Sequence, residues 1–156
     1  MNKSFKKAEL QKLLNEFLES QKIFEQNLEP AERKKMGTFL TSDIEIIFSM
    51  ISKMPHDNSL FKLKILEPSC GAGSLILPII IKAYLIDSNS KTLCNFIEKN
   101  IFFNDLDEIM VDETIKNIKK LFLFLCNEKL EINFNSFSED FAAPQRGLIN
   151  KLNDFD

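Results

Sequence analysis

A glycine-containing loop carries the clearest chemical signal in this sequence: residues 67–74 read EPSCGAGS. Gly71 and Gly73 accept backbone angles that other residues avoid, and they let a ligand approach the main chain closely. The loop lacks the Gly-Lys-Ser/Thr ending of a Walker loop, and Ile76 stands where a dinucleotide fingerprint has its third glycine. The carboxylate ahead of the glycines, Glu67, instead suits a cationic or hydroxyl-rich ligand. Taken alone, the loop is equally compatible with a plain tight turn.

A second carboxylate, Asp105, lies where the next predicted strand ends. In a doubly wound sheet this position faces the hydroxyls of a ribose bound over the loop that follows the first strand. The alternative is that Asp105 or Asp107 caps the helix that comes next. The two roles are compatible, because one carboxylate can cap while the other binds the sugar. We favour Asp105 for the sugar because it is nearer to the strand.

The elements that must position these residues alternate between strands and helices. An amphipathic helix is predicted over about 3–28, a capped helix begins at Ser42, and the pattern then changes. Strands are predicted at 61–66, 100–104 and 130–135, and helices at 75–85, 93–98 and 108–126, with a further short helix at 147–152. Strand–helix alternation is typical of a parallel α/β sheet. We expect a helical N-terminal extension over 1–36 and a ligand-binding α/β domain over 37–156.

Composition limits the class of protein. The chain has 156 residues, 44% of them apolar and 28% charged, with a formal net charge of −3. This is enough for one domain with a core, and too apolar for a disordered chain. No apolar run reaches the roughly 18–20 residues of a membrane span, and no secretion signal follows the basic N-terminus. We therefore expect a cytoplasmic protein with no membrane partner.

The cysteines and the net charge restrict the chemistry further. Cys70, Cys94 and Cys126 are far apart in the sequence, with no C-x-x-C pair. We expect reduced thiols, no metal site, and a packing role for Cys70 rather than a nucleophilic one. Because the net charge is negative, contact with nucleic acid would have to come from a local patch or from another part of the protein.

Three segments in order resemble the motifs of amino-methylating DNA methyltransferases. Residues 66–75 (LEPSCGAGSL) resemble their S-adenosylmethionine loop, D/E-P-A/S-C-G-S/A-G-x-F/L. Residues 33–42 (RKKMGTFLTS) resemble the preceding motif, R-K-x-x-G-Q-F/Y-F/Y-T-P, with Thr38 in place of glutamine and Ser42 in place of proline. Residues 101–107 (IFFNDLD) resemble the acidic motif at the end of the second strand, G-x-D/E-I-D.

The resemblance implies an incomplete Rossmann-like class I methyltransferase sheet, represented by its first three parallel strands. It implies S-adenosylmethionine as cofactor and the adenine amino group of DNA as methyl acceptor, in a restriction–modification system. Duplex DNA would be read with the target base flipped out. The family's residues correspond here to Glu67 at the ligand's amino-acid end, Ser69, Gly71 and Gly73 in the loop, Thr41 at the methionine carboxylate, Asp105 at the ribose, and either Asn135 or the pair Asp140 and Phe141 at the adenine.

The family's base-holding motif, Asn/Asp-Pro-Pro-Tyr/Phe, does not occur in these 156 residues, and residues 153–156 (NDFD) resemble the start of the strand that leads to it. We therefore expect a truncated or split enzyme that is inactive alone, and we assign no catalytic residue. DNA would be a partner through the complete enzyme, with a second chain supplying the missing motif and recognition domain. The alternative is a non-catalytic S-adenosylmethionine-binding subunit that completes its fold with a partner chain.

Overall fold

The computed structural model describes residues 15, 16, 19, 23, 49 and 51–142. The chain divides into two units, Met1–Ser42 and Asp43–Asp156, and residues 49 and 51–142 belong to the second. The helix predicted over 3–28 is described at Asn15, Glu16, Glu19 and Ile23, all helical. The helix predicted from Ser42 is described only at its end, which is helical to Ser52; the short helix predicted at 147–152 lies outside the described residues. The division between residues 36 and 37 stays a prediction.

Three parallel strands form one sheet in the order β1-β2-β3. They are β1 (Ile65–Glu67), β2 (Ile101–Asn104) and β3 (Asn135–Phe137). In the register, Leu66 lies opposite Phe102, and Phe103 lies opposite Ser136. All four residues of β2 are buried, as expected for the central strand of a parallel sheet. The predicted α/β class with three parallel strands is confirmed.

Three α-helices connect the strands: α1 (Ile76–Ile86) and α2 (Ser90–Asn100) lie between β1 and β2, and α3 (Glu108–Cys126) lies between β2 and β3. Helix α1 is apolar on every side and is buried from Ile76 to Tyr84. It contacts both α2 and α3. Lys82 lies within this buried stretch, and its Nζ donates to the carbonyls of Ile51 and Met54 at 2.6 and 2.7 Å.

The ends of α3 are set by two side-chain and backbone features. At the start, the Asp107 carboxylate accepts a hydrogen bond from the Ile109 N–H at 3.0 Å, which satisfies one of the free donors of the first turn. At the end, Asn127 adopts a left-handed conformation (φ 56°), and its N–H donates to the Leu123 carbonyl at 2.8 Å. Asparagine tolerates this conformation better than most residues, so the helix stops there.

Two predicted strands are placed differently in the structure. The strand predicted at 61–66 is wrong over most of its length, because Asn58–Lys62 form a 3-10 helix and β1 begins only at Ile65. The Asp57 carboxylate caps that helix by accepting a hydrogen bond from the Ser59 N–H at 2.9 Å. Leu60, in the middle of the helix, is fully buried. The strand predicted at 130–135 is also misplaced, since only 135–137 pair with β2.

Among the described residues, no helix combines the length and the apolar character needed to cross a bilayer.

Candidate functional site

The carboxyl ends of the three strands bring the predicted site residues to one edge of the sheet. Glu67 is the last residue of β1, Asp105 directly follows β2, and Asp140 and Phe141 come shortly after β3. In open parallel sheets, ligands bind at this edge, outside the carboxyl ends of the strands. The fold therefore places the loop 67–74 and both candidate carboxylates where a ligand would approach.

The loop after β1 depends on its two glycines for its shape. Gly71 and Gly73 have φ angles of +52° and +92°, in the region that side chains disfavour. A Cβ built on Gly73 would lie 3.5 Å from the side chain of Thr114, which is an ordinary contact. The backbone angle, and not lack of space, therefore favours glycine at position 73.

Asp105 joins the end of β2 to the loop after β1. Its Oδ2 accepts a hydrogen bond from the Gly71 N–H at 2.9 Å, and its Oδ1 accepts from the Asp107 N–H at 3.1 Å. An ionised carboxylate accepts about four hydrogen bonds, so these two leave capacity on both oxygens. Asp107 is the residue that caps α3, which separates the two roles considered from the sequence. Asp105 is thus free of the capping role and half-buried beside the loop.

Glu67 is a half-buried carboxylate at the same edge. Burial raises the pKa of Glu67, the hydrogen bond from the Ser69 N–H lowers it, and the negative charge of Asp105 raises it again. That hydrogen bond reaches Oε1 at 3.2 Å. Burial and the charge of Asp105 both disfavour the ionised form of Glu67, and a cation beside it would relieve that cost. The electrostatics of this edge therefore favour a ligand with a positive charge.

The two alternatives for the adenine end lie at different positions around the third strand. Asn135 is the first residue of β3, not its end, so the prediction that it closes the strand is wrong. Its Nδ2 donates to the carbonyl of Glu98 at 2.6 Å, at the amino end of the sheet. Asp140 and Phe141 lie beyond the carboxyl end, where Phe141 is 42% exposed. Thr41, the remaining candidate, lies outside the described residues.

Three of the groups that sequence reasoning missed lie around this edge. Two are buried polar residues of α3: the Thr114 hydroxyl donates to the Gly71 carbonyl at 2.8 Å, and the Asn117 amide donates to the Ala72 carbonyl at 3.1 Å. Their signal in the sequence is a polar residue inside the apolar face of a helix. The third is Leu106, which follows Asp105 and is 67% exposed. It lies next to a candidate ligand carboxylate in the sequence.

Cys70 lies in the loop, but its thiol is buried and unreactive. It is only 3% exposed, and burial raises the pKa of the Cys70 thiol to about 12, partly offset by the Thr114 hydroxyl. Roughly one such thiol in ten thousand is ionised at pH 8, and the thiolate is the nucleophile.

We expect native-state alkylation at pH 8 to modify Cys94 and Cys126, which are half-buried, well before Cys70. Mass spectrometry of the alkylated chain would measure this order, and urea should make all three thiols equally reactive. The Cys70→Ser variant is the control, because it should lose no early label. Modification of Cys70 as fast as the other two would contradict its burial.

Across residues 51–142 and the few described positions before them, no group of three or more His, Cys, Asp or Glu side chains is arranged to hold a metal ion. No protein-family model matches the chain, and no curated protein is significantly similar to it.

Proposed function

We propose that this chain binds S-adenosylmethionine at the carboxyl edge of its sheet. One observation carries the proposal: the Asp105 carboxylate accepts a hydrogen bond from the N–H of Gly71, 34 residues away, so two segments that resemble methyltransferase motifs are in direct contact. A glycine loop after the first strand and an acid after the second are the arrangement that binds a nucleoside in doubly wound folds.

The residues present fit the chemical groups of this ligand. Asp105 has acceptor capacity left for ribose hydroxyls, and Glu67 supplies a negative charge for the ammonium at the amino-acid end. Leu106 and Phe141, both exposed, offer apolar surface for the adenine. When bound, S-adenosylmethionine supplies a methyl group activated by its sulfonium. The loop around Gly71 is already held by hydrogen bonds, which lowers the cost of ordering it on binding.

We further propose that the site serves an adenine-specific DNA methyltransferase of a restriction–modification system, with a class I fold. The support is the resemblance of the loop 66–75, in which Pro-Ser-Cys-Gly follows the acid, and its position directly after β1. A segment with Asn/Asp-Pro-Pro-Tyr/Phe, in the same or another polypeptide, would hold the target base. The alternative of a non-catalytic binding subunit shares the cofactor site, and it differs only in what the completed assembly does.

The pH dependence of binding tests the proposed role of Glu67. A cationic ligand favours the ionised carboxylate, so affinity should rise with pH through the raised pKa of free Glu67, above its ordinary value of 4.5. Each unit by which the ligand lowers this pKa gives about a tenfold gain in affinity. The ligand's α-amino group stays protonated below about pH 7.7, so it does not contribute to the rise. Calorimetry from pH 5 to 7 would measure both affinity and proton release.

Glu67→Gln should bind more weakly at pH 7 and lose the pH dependence. Glu131→Gln removes an exposed carboxylate that precedes β3, away from the carboxyl edge, and should keep the wild-type profile. An unchanged pH profile in the Glu67→Gln variant would remove Glu67 from the ligand site. No heat of binding from the wild-type chain at any pH would overturn the proposal as a whole.

A further inference from the structure

Asn104, the last residue of β2, is a buried polar side chain that the proposed ligand contacts leave unused. It is 1% exposed, and a buried amide without hydrogen bonds would cost free energy. Its Nδ2 donates to the carbonyl of Pro68 at 3.1 Å and to the carbonyl of Glu139 at 2.9 Å. Its Oδ1 accepts from the N–H of Glu139 at 3.1 Å. One side chain therefore makes three hydrogen bonds to main-chain atoms of two different loops.

The backbone of Asn104 adds a fourth bond to the same arrangement. Its carbonyl accepts from the Cys70 N–H at 2.8 Å, so the loop after β1 is tied to β2 on both sides of Ser69. The segment after β3 is tied through both the N–H and the carbonyl of Glu139, as a neighbouring strand would be. Asn104 thus connects the loops that follow β1 and β3 to the end of β2 by hydrogen bonds.

Only an asparagine-sized amide satisfies this geometry. Both hydrogens of its NH₂ group reach carbonyls while its oxygen accepts an N–H, which uses most of the bonding capacity of the side chain. An ionised aspartate has the same shape but no donor, so it would place a charge against two carbonyl oxygens. An aliphatic residue of this size would leave all three main-chain groups without their partner.

We propose that Asn104 is a positioning residue that holds the Pro68–Cys70 loop and the Glu139–Phe141 segment as one unit. In the proposed function, the first segment contacts the amino-acid end of the ligand and the second its adenine. Asn104 would therefore fix the distance between the two halves of the site without touching the ligand. The effect of Asn104 on S-adenosylmethionine binding rests on the proposed function, whereas the coupling of the two loops does not.

Asn117 provides the matched control. It is also buried, at 4% exposure, and its amide donates to the same first loop, at the Ala72 carbonyl. It differs in that no described contact of its side chain reaches the segment after β3. Asn104→Asp and Asn117→Asp are the same chemical change, and only the first should affect both loops.

Hydrogen exchange followed by mass spectrometry on the full chain tests the proposal. In Asn104→Asp, the two donated hydrogen bonds are lost and a charge faces the carbonyls of Pro68 and Glu139, which pushes both segments away from residue 104. Amides of 69–73 and of 139–142 should therefore both exchange about 10–100 times faster than in the wild type. In Asn117→Asp, only amides of 69–73 should become faster. If Asn104→Asp does not fold, Asn104→Ser keeps a smaller polar group and should give the same pattern with a smaller amplitude.

If Asn104 only stabilised the fold, its replacement would lower the free energy of unfolding without selectively accelerating exchange in both 69–73 and 139–142. Equal acceleration of both segments in the two variants, or acceleration of only one segment in the Asn104 variants, would overturn the coupling. Calorimetry with S-adenosylmethionine should show a larger loss of affinity for Asn104→Asp than for Asn117→Asp. Coupled exchange in a chain that binds no S-adenosylmethionine would reject the proposed function and keep the coupling. Binding without coupled exchange would reject only the coupling.

Discussion

Replacement of Asp105 by alanine is expected to weaken S-adenosylmethionine binding by about 10- to 150-fold. In the proposed complex the ribose hydroxyls lose a charged acceptor, and hydrogen bonds to a charged group contribute about 1.5–3 kcal/mol. The same substitution removes the acceptor of the Gly71 N–H, which now makes a 2.9 Å bond to Oδ2. The loop would then be less ordered in the free chain, and this adds to the loss on binding. Isothermal calorimetry of the wild type and the variant measures the difference directly.

Two variants separate the ligand contact from simple damage to the fold. Asp105→Asn keeps an oxygen that can still accept a main-chain N–H, so it should lose less affinity than alanine does. Asp107→Ala removes the cap of α3, at a cost of about 1 kcal/mol in stability, and should bind S-adenosylmethionine almost normally. Equal affinity for the wild type and Asp105→Ala would reject the assignment of Asp105 to the ribose. So would equal losses in the Asp105→Ala and Asp107→Ala variants.

Helices α1 and α3 were predictable because their signals are local, whereas α2 was predicted over 93–98 and spans Ser90–Asn100. The bounds predicted for α3 agree with the structure, since an apolar repeat ends where Asn127 adopts its left-handed conformation. Helix α1 lies one residue later than predicted, at Ile76–Ile86. Caps, periodicity and helix-ending residues all act within a few positions of each other, so they can be read from the sequence.

The strands were less predictable because their extent depends on a partner. Alternation at 130–135 reflects alternating contact with the core, but β2 has only four residues and pairs with 135–137. The alternation at 61–64 has a different origin, because Asp57 caps a 3-10 helix there and buries Leu60. At 130–134 the alternation follows burial, whereas at 61–64 it does not, since Leu63 is 39% exposed; in neither segment does it indicate hydrogen bonding between strands.

Some residues of the candidate site were predicted from the sequence and others were not. The loop glycines and Asp105 were predicted because they stand at strand ends, and the topology brings strand ends together. Asn104, Thr114 and Asn117 were not predicted, because each bonds to main-chain atoms more than 30 residues away. The sequence does not specify which buried polar side chain will meet which carbonyl. These three residues shape the loop, and their hydrogen-bond partners are known only from the tertiary structure.

Methyl transfer to DNA is expected only when the chain is combined with a polypeptide that carries Asn/Asp-Pro-Pro-Tyr/Phe. Catalysis of this kind depends on holding the adenine amino group in place and on acceptors that draw off its developing positive charge. Loss of a single such group costs roughly 10²–10³ in rate. In the family that the sequence resembles, these acceptors belong to the Asn/Asp-Pro-Pro-Tyr/Phe segment, whereas Glu67, Asp105 and Asp140 correspond to residues on the cofactor's side of the site. The chain alone should therefore give no label above background.

The experiment incubates adenine-containing DNA with S-adenosylmethionine labelled in its methyl group, and with the chain, a polypeptide that carries Asn/Asp-Pro-Pro-Tyr/Phe, or both. Label in DNA only with both polypeptides, and a matching decrease when the chain carries Asp105→Ala, would establish that this chain supplies the cofactor site of a methyltransferase. Label from the chain alone would contradict the assignment of the base site to another segment. Binding of S-adenosylmethionine without label in any mixture would favour the non-catalytic subunit, because the cofactor site would then operate without an acceptor for the methyl group.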